Sequence, residues 1–147
     1  MYKIQGATEF TAALLDEKNT IQVFIETLKK EEDALVQGKI DDVDFLASDK
    51  TRLVEKLMQL GEQRSQYLLS QGLSTDSAGM NEWLAKHVDA QTLWNELLQL
   101  AKNAKQINQT NGLVISAQLQ HNQRAFSALQ SAAGNISMYG PKGQAFI

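Results

Sequence analysis

The sequence predicts an all-α protein: an elongated antiparallel helical hairpin, then a long third helix. Together these make a three- to four-helix coiled-coil-like bundle, followed by a flexible C-terminal tail. Three observations predict this. The single proline is Pro141. Proline inside a helix costs roughly 3 kcal/mol, so residues 1–140 leave long helices unobstructed. Apolar residues recur every seven positions, the spacing of a helix–helix seam. Gly38 and Gly72 fall where two of those seams stop. A chain of 147 residues fits one domain, expected over residues 1–133, with the tail over 134–147.

The first helix is expected over about residues 8–37. Its seam is Leu14, Ile21, Leu28 and Leu35, widened by Phe10, Phe24 and Ile25. Gly38 suits its C-terminal cap. The second is expected over about 41–71, because Asp41 and Asp42 complement a helix N-terminus. Its seam is Leu46, Leu53, Leu60 and Tyr67, joined by Phe45, Val54 and Leu57. The short connection makes the two helices antiparallel neighbours. Leu73 to Gly79 reads as a loop. The third helix is expected over about 81–133, with Leu93, Leu97, Leu100, Ala104 and Ile107 on its seam. Unbroken, it would be ~75 Å long against ~45 Å for each hairpin helix, at 1.5 Å per residue. A break at Asn111-Gly112, folding the remainder back as a fourth helix, is the alternative. Glycine inside a helix costs only ~1 kcal/mol against alanine, and a continuous or slightly bent helix is the preferred reading.

Charge divides the chain. All 17 acids lie between Glu9 and Glu96; beyond them come only Lys102, Lys105, Arg124 and Lys142 as charged side chains. The net charge of −3 argues against a general nucleic-acid binder, and four scattered cations make no phosphate stripe. Without cysteine there is neither a disulfide framework nor a thiolate metal site. The N-terminus lacks the pattern of a signal peptide and no apolar run approaches a membrane span, so a cytoplasmic protein is expected.

Catalytic signals are missing. His87 and His121 are the two histidines, and neither has the helical partner of a zinc site; both read as solvent-facing or rim residues. The acid runs Glu31-Glu32-Asp33 and Asp41-Asp42-Val43-Asp44 read as solvated faces. Gly140-Pro141-Lys142-Gly143 lacks the strand and helix that a phosphate loop needs. Trp83 and Trp94 read as core or hairpin-end packing. No enzyme, metal or cofactor is expected. The apolar residues Leu113, Val114, Ile115, Leu119, Phe126 and Leu129 do need a partner surface, either within a four-helix bundle or from another molecule. The neutral amides around them, Asn108, Asn111, Gln118 and Asn122, suit an adaptable surface.

Over nearly its whole length the chain resembles the FlgN family of flagellar type III export chaperones. The hairpin junction from Glu31-Glu32-Asp33-Ala34-Leu35 through Lys50-Thr51-Arg52-Leu53 looks like the family's. Asn108-Gln109-Thr110-Asn111-Gly112-Leu113-Val114-Ile115 is similar to its Asn-x-x-Asn-Gly pair followed by aliphatics, and Asn122-Gln123 and Leu129 continue the pattern. Tyr139-Gly140-Pro141-Lys142-Gly143-Gln144 matches its Tyr-Gly-x-x-Gly-Gln ending. The resemblance implies a non-enzymatic chaperone of the hook–filament junction proteins. It would shield their C-terminal helical segments and escort them to the export gate. Carried over by position, the client surface is Leu113, Ile115, Leu119, Phe126 and Leu129, and Tyr139 is the contact to the gate's cytoplasmic domain. The competing expectation is a structural coiled-coil module that associates with itself and has no client.

Overall fold

The computed structural model describes residues 3–133, except for the side chains of Asn122 and Ala133. They form α1 (Ala7–Val36), α2 (Ile40–Ser70), α3 (Ser77–Lys86), a 3-10 turn (Val88–Ala90) and α4 (Gln91–Ala133). The described residues are helical with no strand, as the periodicity predicts, and the helices pack as a bundle. Two compact units divide the chain, Met1–Gln109 and Thr110–Ile147.

In the first unit, α1 supplies the spine of the core. Leu14, Ile21, Leu28 and Leu35 are all buried, as are Phe10, Phe24 and Ile25, so the seven-residue seam faces inward along the whole helix. Buried Thr20 and Thr27 return their hydroxyls to the carbonyls of Asp16 and Val23, at 2.7 and 3.1 Å. That satisfies them without a partner from another helix. Past Val36 the chain closes in a Schellman turn. Gly38 takes φ +69°, the Gly38 N–H donates to the Leu35 carbonyl, and the Lys39 N–H donates to that of Ala34 at 2.8 Å. A side chain at Gly38 would be strained in this left-handed conformation. Gly72, at φ +73°, ends α2 in the same way, with the Leu73 N–H donating to Leu68 at 2.9 Å.

The hairpin is held in register by two buried carboxylates. Glu17 accepts three hydrogen bonds of 3.0 to 3.2 Å from the Arg64 guanidinium. Glu31 lies 3.1 Å from the Lys50 ammonium. The two pairs are two heptads apart on each helix, so one antiparallel register serves both. Glu31 thus departs from the solvated face expected of Glu31-Glu32-Asp33: its side chain is only 2% exposed. Glu31 stands three residues after Leu28 and four before Leu35 and so shares the seam face, and Lys50 from the facing helix offsets its desolvation.

Beyond the hairpin the structure departs from a single helix over 81–133. α3 starts earlier, at Ser77, because Asp76 caps it: Asp76 Oδ1 accepts the Gly79 N–H at 3.2 Å and the Ser74 hydroxyl at 2.6 Å. α3 then ends at His87, whose backbone leaves the helical region (φ −136°, ψ 62°). The His87 ring stacks on Trp83 at 4.1 Å, and its Nδ1–H donates to the Trp83 carbonyl at 2.9 Å. That bond satisfies a carbonyl left open at the helix end. The break therefore falls at a histidine. α4 passes Asn111-Gly112 without interruption.

α2 is not buried evenly either. Leu60 and Tyr67 of its seam are buried, and Leu46, Leu53 and Leu57 are half-buried. Phe45 and Val54, expected to join that seam, are exposed. Each is adjacent in sequence to a seam residue and so lies about 100° round the helix from it, where no helix among the described residues covers it. At the opposite end of the hairpin the packing is aromatic. Phe10 stacks on Tyr67 at 4.4 Å and meets Trp83 edge-on at 4.6 Å. Trp83 is therefore core, whereas Trp94 is half-buried with the Arg64 guanidinium 5.3 Å from its ring centroid.

Candidate functional site

α4 carries the candidate binding face. The early part of the helix buries Leu97, Ala104 and Asn111, again seven residues apart. At 100° per residue the same face continues through Ile115, Leu119, Phe126 and Leu129. These four fall within an arc of about 80°. Burial does not continue with them: Ile115, Leu119 and Leu129 are exposed and Phe126 is half-buried. α4 thus has one apolar face with two fates, core at its start and solvent-facing later.

Of the sequence-predicted residues, the helix therefore brings Ile115, Leu119, Phe126 and Leu129 together. Leu113 is separate. It lies about 120–160° round the helix from the other four and is 73% exposed. Val114 is exposed between the two faces. Between them the sequence places amides, serines, alanines, His121 and one cation, Arg124, with no carboxylate after Glu96. An apolar face without acids can accept a helix by burial of its aliphatic residues, with the amides as adjustable hydrogen-bonding groups. Tyr139 and the rest of the expected tail lie outside the described residues.

Sequence reasoning missed two features. One is an apolar groove in the first unit, of about 370 Å³, lined by Ile21, Phe24 and Leu57 of the hairpin and by Trp94, Leu97 and Leu98 of α4. Its polar border is the Glu17–Arg64 pair. Ile21, Phe24, Leu57 and Leu97 belong to helical seams, so periodicity gives the groove no separate signal. The other is the exposed Phe45, which helical periodicity assigned to the α2 seam.

Among the described residues, no group of three or more His, Cys, Asp or Glu side chains could hold a metal ion. No helix among them is long and apolar enough to cross a membrane. The Asp76 carboxyl has its pKa lowered by the hydrogen bonds from the Ser74 hydroxyl and the Gly79 amide. Its cause is the cap of α3, and it needs no catalytic explanation. His87 is a rim residue stacked on Trp83.

A family model described as FlgN protein matches residues 1–145. No curated protein and no solved structure matches the chain.

Proposed function

The chain belongs to the FlgN family, whose general role is that of a flagellar export chaperone, and from that premise we propose that α4 is the client-binding element. The clients are the C-terminal helical segments of the hook–filament junction proteins. The chaperone covers them, prevents premature assembly and delivers them to the flagellar export gate in the cytoplasm. Ile115, Leu119, Phe126 and Leu129 form one continuous binding face. Leu113, on the other side of α4, touches a client only if the client wraps the helix. Tyr139 contacts the cytoplasmic domain of the gate, through a ring and a hydroxyl that dock together.

One observation carries the reading: the face that α4 buries at Leu97 and Ala104 continues as Ile115, Leu119 and Leu129, which are exposed. An apolar helical stripe in water gains by burial, at ~25 cal/mol per Å² of apolar surface. A client segment pays an ordering cost on binding, and a net ~8 kcal/mol corresponds to micromolar affinity. Affinity in that range suits a complex that must form and release.

The test is co-elution of the full chain with a junction-protein C-terminal fragment on size exclusion. Leu119→Ser with Phe126→Ser should abolish the complex and leave the helical circular dichroism nearly intact. Unfolding of that variant would make the stripe a core element, and an unchanged complex would remove α4 from the client site. Tyr139→Ala should keep the client complex and reduce motility; normal motility would remove the gate role. A tight dimer through the stripe with no affinity for any fragment would favour the self-associating module instead.

A further inference from the structure

We propose that the client-free chain pairs with a second copy of itself, the exposed stretch of α4 in each copy lying in the apolar groove of the other. The groove runs between α2 and α4 over a floor of Ile21 and Phe24 from α1, with Leu57, Trp94 and Leu98 in its walls. The floor is buried, but Leu98 is 49% exposed and Trp94 is half-buried. A valley of about 370 Å³ lined by three helices takes the apolar face of a further helix.

The chain carries a helical face that fits. From Trp94 to Lys105 the groove spans about 17 Å of α4, and the stripe from Ile115 to Leu129 spans about 21 Å, at 1.5 Å per residue. The stripe has no charged side chain, and Arg124 lies about 140–180° round α4 from it. The groove suits such an occupant. Glu17 and Arg64 on its border already neutralise each other, so an uncharged helix leaves no ion unpaired there. Lys105 at its mouth is exposed and keeps its ammonium in water. Residues 1–100 hold 17 acids against ten Lys and Arg, whereas α4 beyond Glu96 holds no acid. The stripe therefore approaches another body without like-charge opposition.

Continuity of α4 makes the occupant a second molecule. The helix runs unbroken from Gln91 to Ala133, so the stripe cannot turn back into its own groove. Ala101 and Leu119 stand at the same angle on α4, five whole turns apart, so groove wall and stripe share one side of the helix. Two α4 helices laid antiparallel, each stripe against the other's groove, cross at about residue 111. One two-fold arrangement then fills both grooves and closes the assembly at a dimer. Gly112 stands at that crossing, about 20° round the helix from Ala101. It is exposed, and an added Cβ would meet nothing within 4 Å. A glycine inside a helix costs ~1 kcal/mol against alanine. No contact among the described residues explains it, whereas close approach of a second backbone does. The face so covered is the client face, and a client must displace the second copy. That consequence rests on the client reading; the pairing rests on the two surfaces alone.

Sedimentation velocity of the full chain across a wide concentration range should show a reversible monomer–dimer equilibrium. Ala101→Glu in the groove wall, and Leu119→Ser with Phe126→Ser in the stripe, should each weaken the dimer at least tenfold. Gly112→Glu sets two carboxylates against each other at the crossing and favours the helix of the single chain. It should weaken the dimer as much, with an unchanged or raised melting temperature. The chain has no cysteine, so register can be read by oxidation of a mixture: Ala101→Cys chains should link to Leu119→Cys chains, and neither to its own kind. A junction-protein C-terminal fragment should dissociate the parent dimer and still bind Ala101→Glu, whose stripe is intact. A monomer at every concentration overturns the proposal, as does a dimer that survives both Ala101→Glu and Gly112→Glu. Leu119→Cys chains linked to each other, the mark of stripe packed on stripe, overturn it too. A fragment that binds the dimer without dissociating it overturns the masking. A fragment that binds no variant defeats the client reading and leaves the dimer as sedimentation finds it.

Discussion

Removing the Arg64 guanidinium should destabilise the bundle far more than its half-exposed position suggests. Arg64 donates three hydrogen bonds to Glu17, and the Glu17 side chain is 6% exposed while that of Arg64 is 24% exposed. Breaking a buried pair by deleting one partner costs about 3–5 kcal/mol, because it leaves an uncompensated charge. Water can reach the Arg64 side, so the lower end applies to Arg64→Met, about 3 kcal/mol. Replacing both partners, Glu17→Leu with Arg64→Met, removes the buried charge with its counterion and should recover most of that loss. The contact of Arg64 with the Trp94 ring would then remain as a residual cost of about 0.5–1 kcal/mol. Urea unfolding followed by circular dichroism measures all three variants, and the double-mutant cycle isolates the coupling. A single variant within about 0.5 kcal/mol of the parent, the range for ordinary surface changes, would refute the account. So would a double variant no better than the additive loss, since the carboxylate would then not be the source of the penalty.

Three further outcomes follow from the packing. Leu28→Ala should cost about 2–5 kcal/mol, as for other buried leucines, because Leu28 is wholly buried, whereas Leu113→Ala should stay within about 0.5 kcal/mol; thermal melts compare them. Gly79→Ala should destabilise by about 1–3 kcal/mol through overpacking, because an added Cβ would stand 1.8 Å from the Ser74 carbonyl oxygen; a melting temperature equal to the parent's would show that the α3 turn shifts freely. Asp76 has a folded pKa below its unfolded value, so its contribution is present at neutral pH and is lost as pH falls through the lowered folded pKa. Asp76→Ala should therefore lower stability at neutral pH and narrow its difference from the parent in acid, a convergence that melts across the acid range would detect.

The α1 seam was legible in the sequence because Leu14, Ile21, Leu28 and Leu35 repeat at a helical period and every one of them is buried. The turn at Gly38 was legible because only glycine adopts its φ cheaply. The break at His87 was not, since no glycine or proline marks it. It depends on the ring finding Trp83, a contact made within the folded α3. Glu31 and Phe45 fail in opposite directions for one reason: local pattern does not say which helix stands opposite. Lys50 arrives beside Glu31 and allows a charge to be buried, while no helix among the described residues covers Phe45. The candidate face on α4 was partly legible. Periodicity supplied its apolar residues, and the grouping of Leu113 with Ile115, Leu119, Phe126 and Leu129 came by position from the family resemblance, whereas helical angle sets Leu113 apart.

By itself the sequence determined the all-α class, the antiparallel hairpin and the acid-free composition of the C-terminal third, together with the family resemblance. Each of these follows from local spacing, residue chemistry or motif order along one chain. Tertiary structure decided burial. It placed Glu17 and Glu31 inside with their cations, left the first half of α2 uncovered, and ended α3 at His87. It also divided the single apolar face of α4 into a buried beginning and an exposed continuation. The physical reason is that an apolar period specifies which way a side chain faces, while only the neighbouring helices specify whether anything is there to cover it.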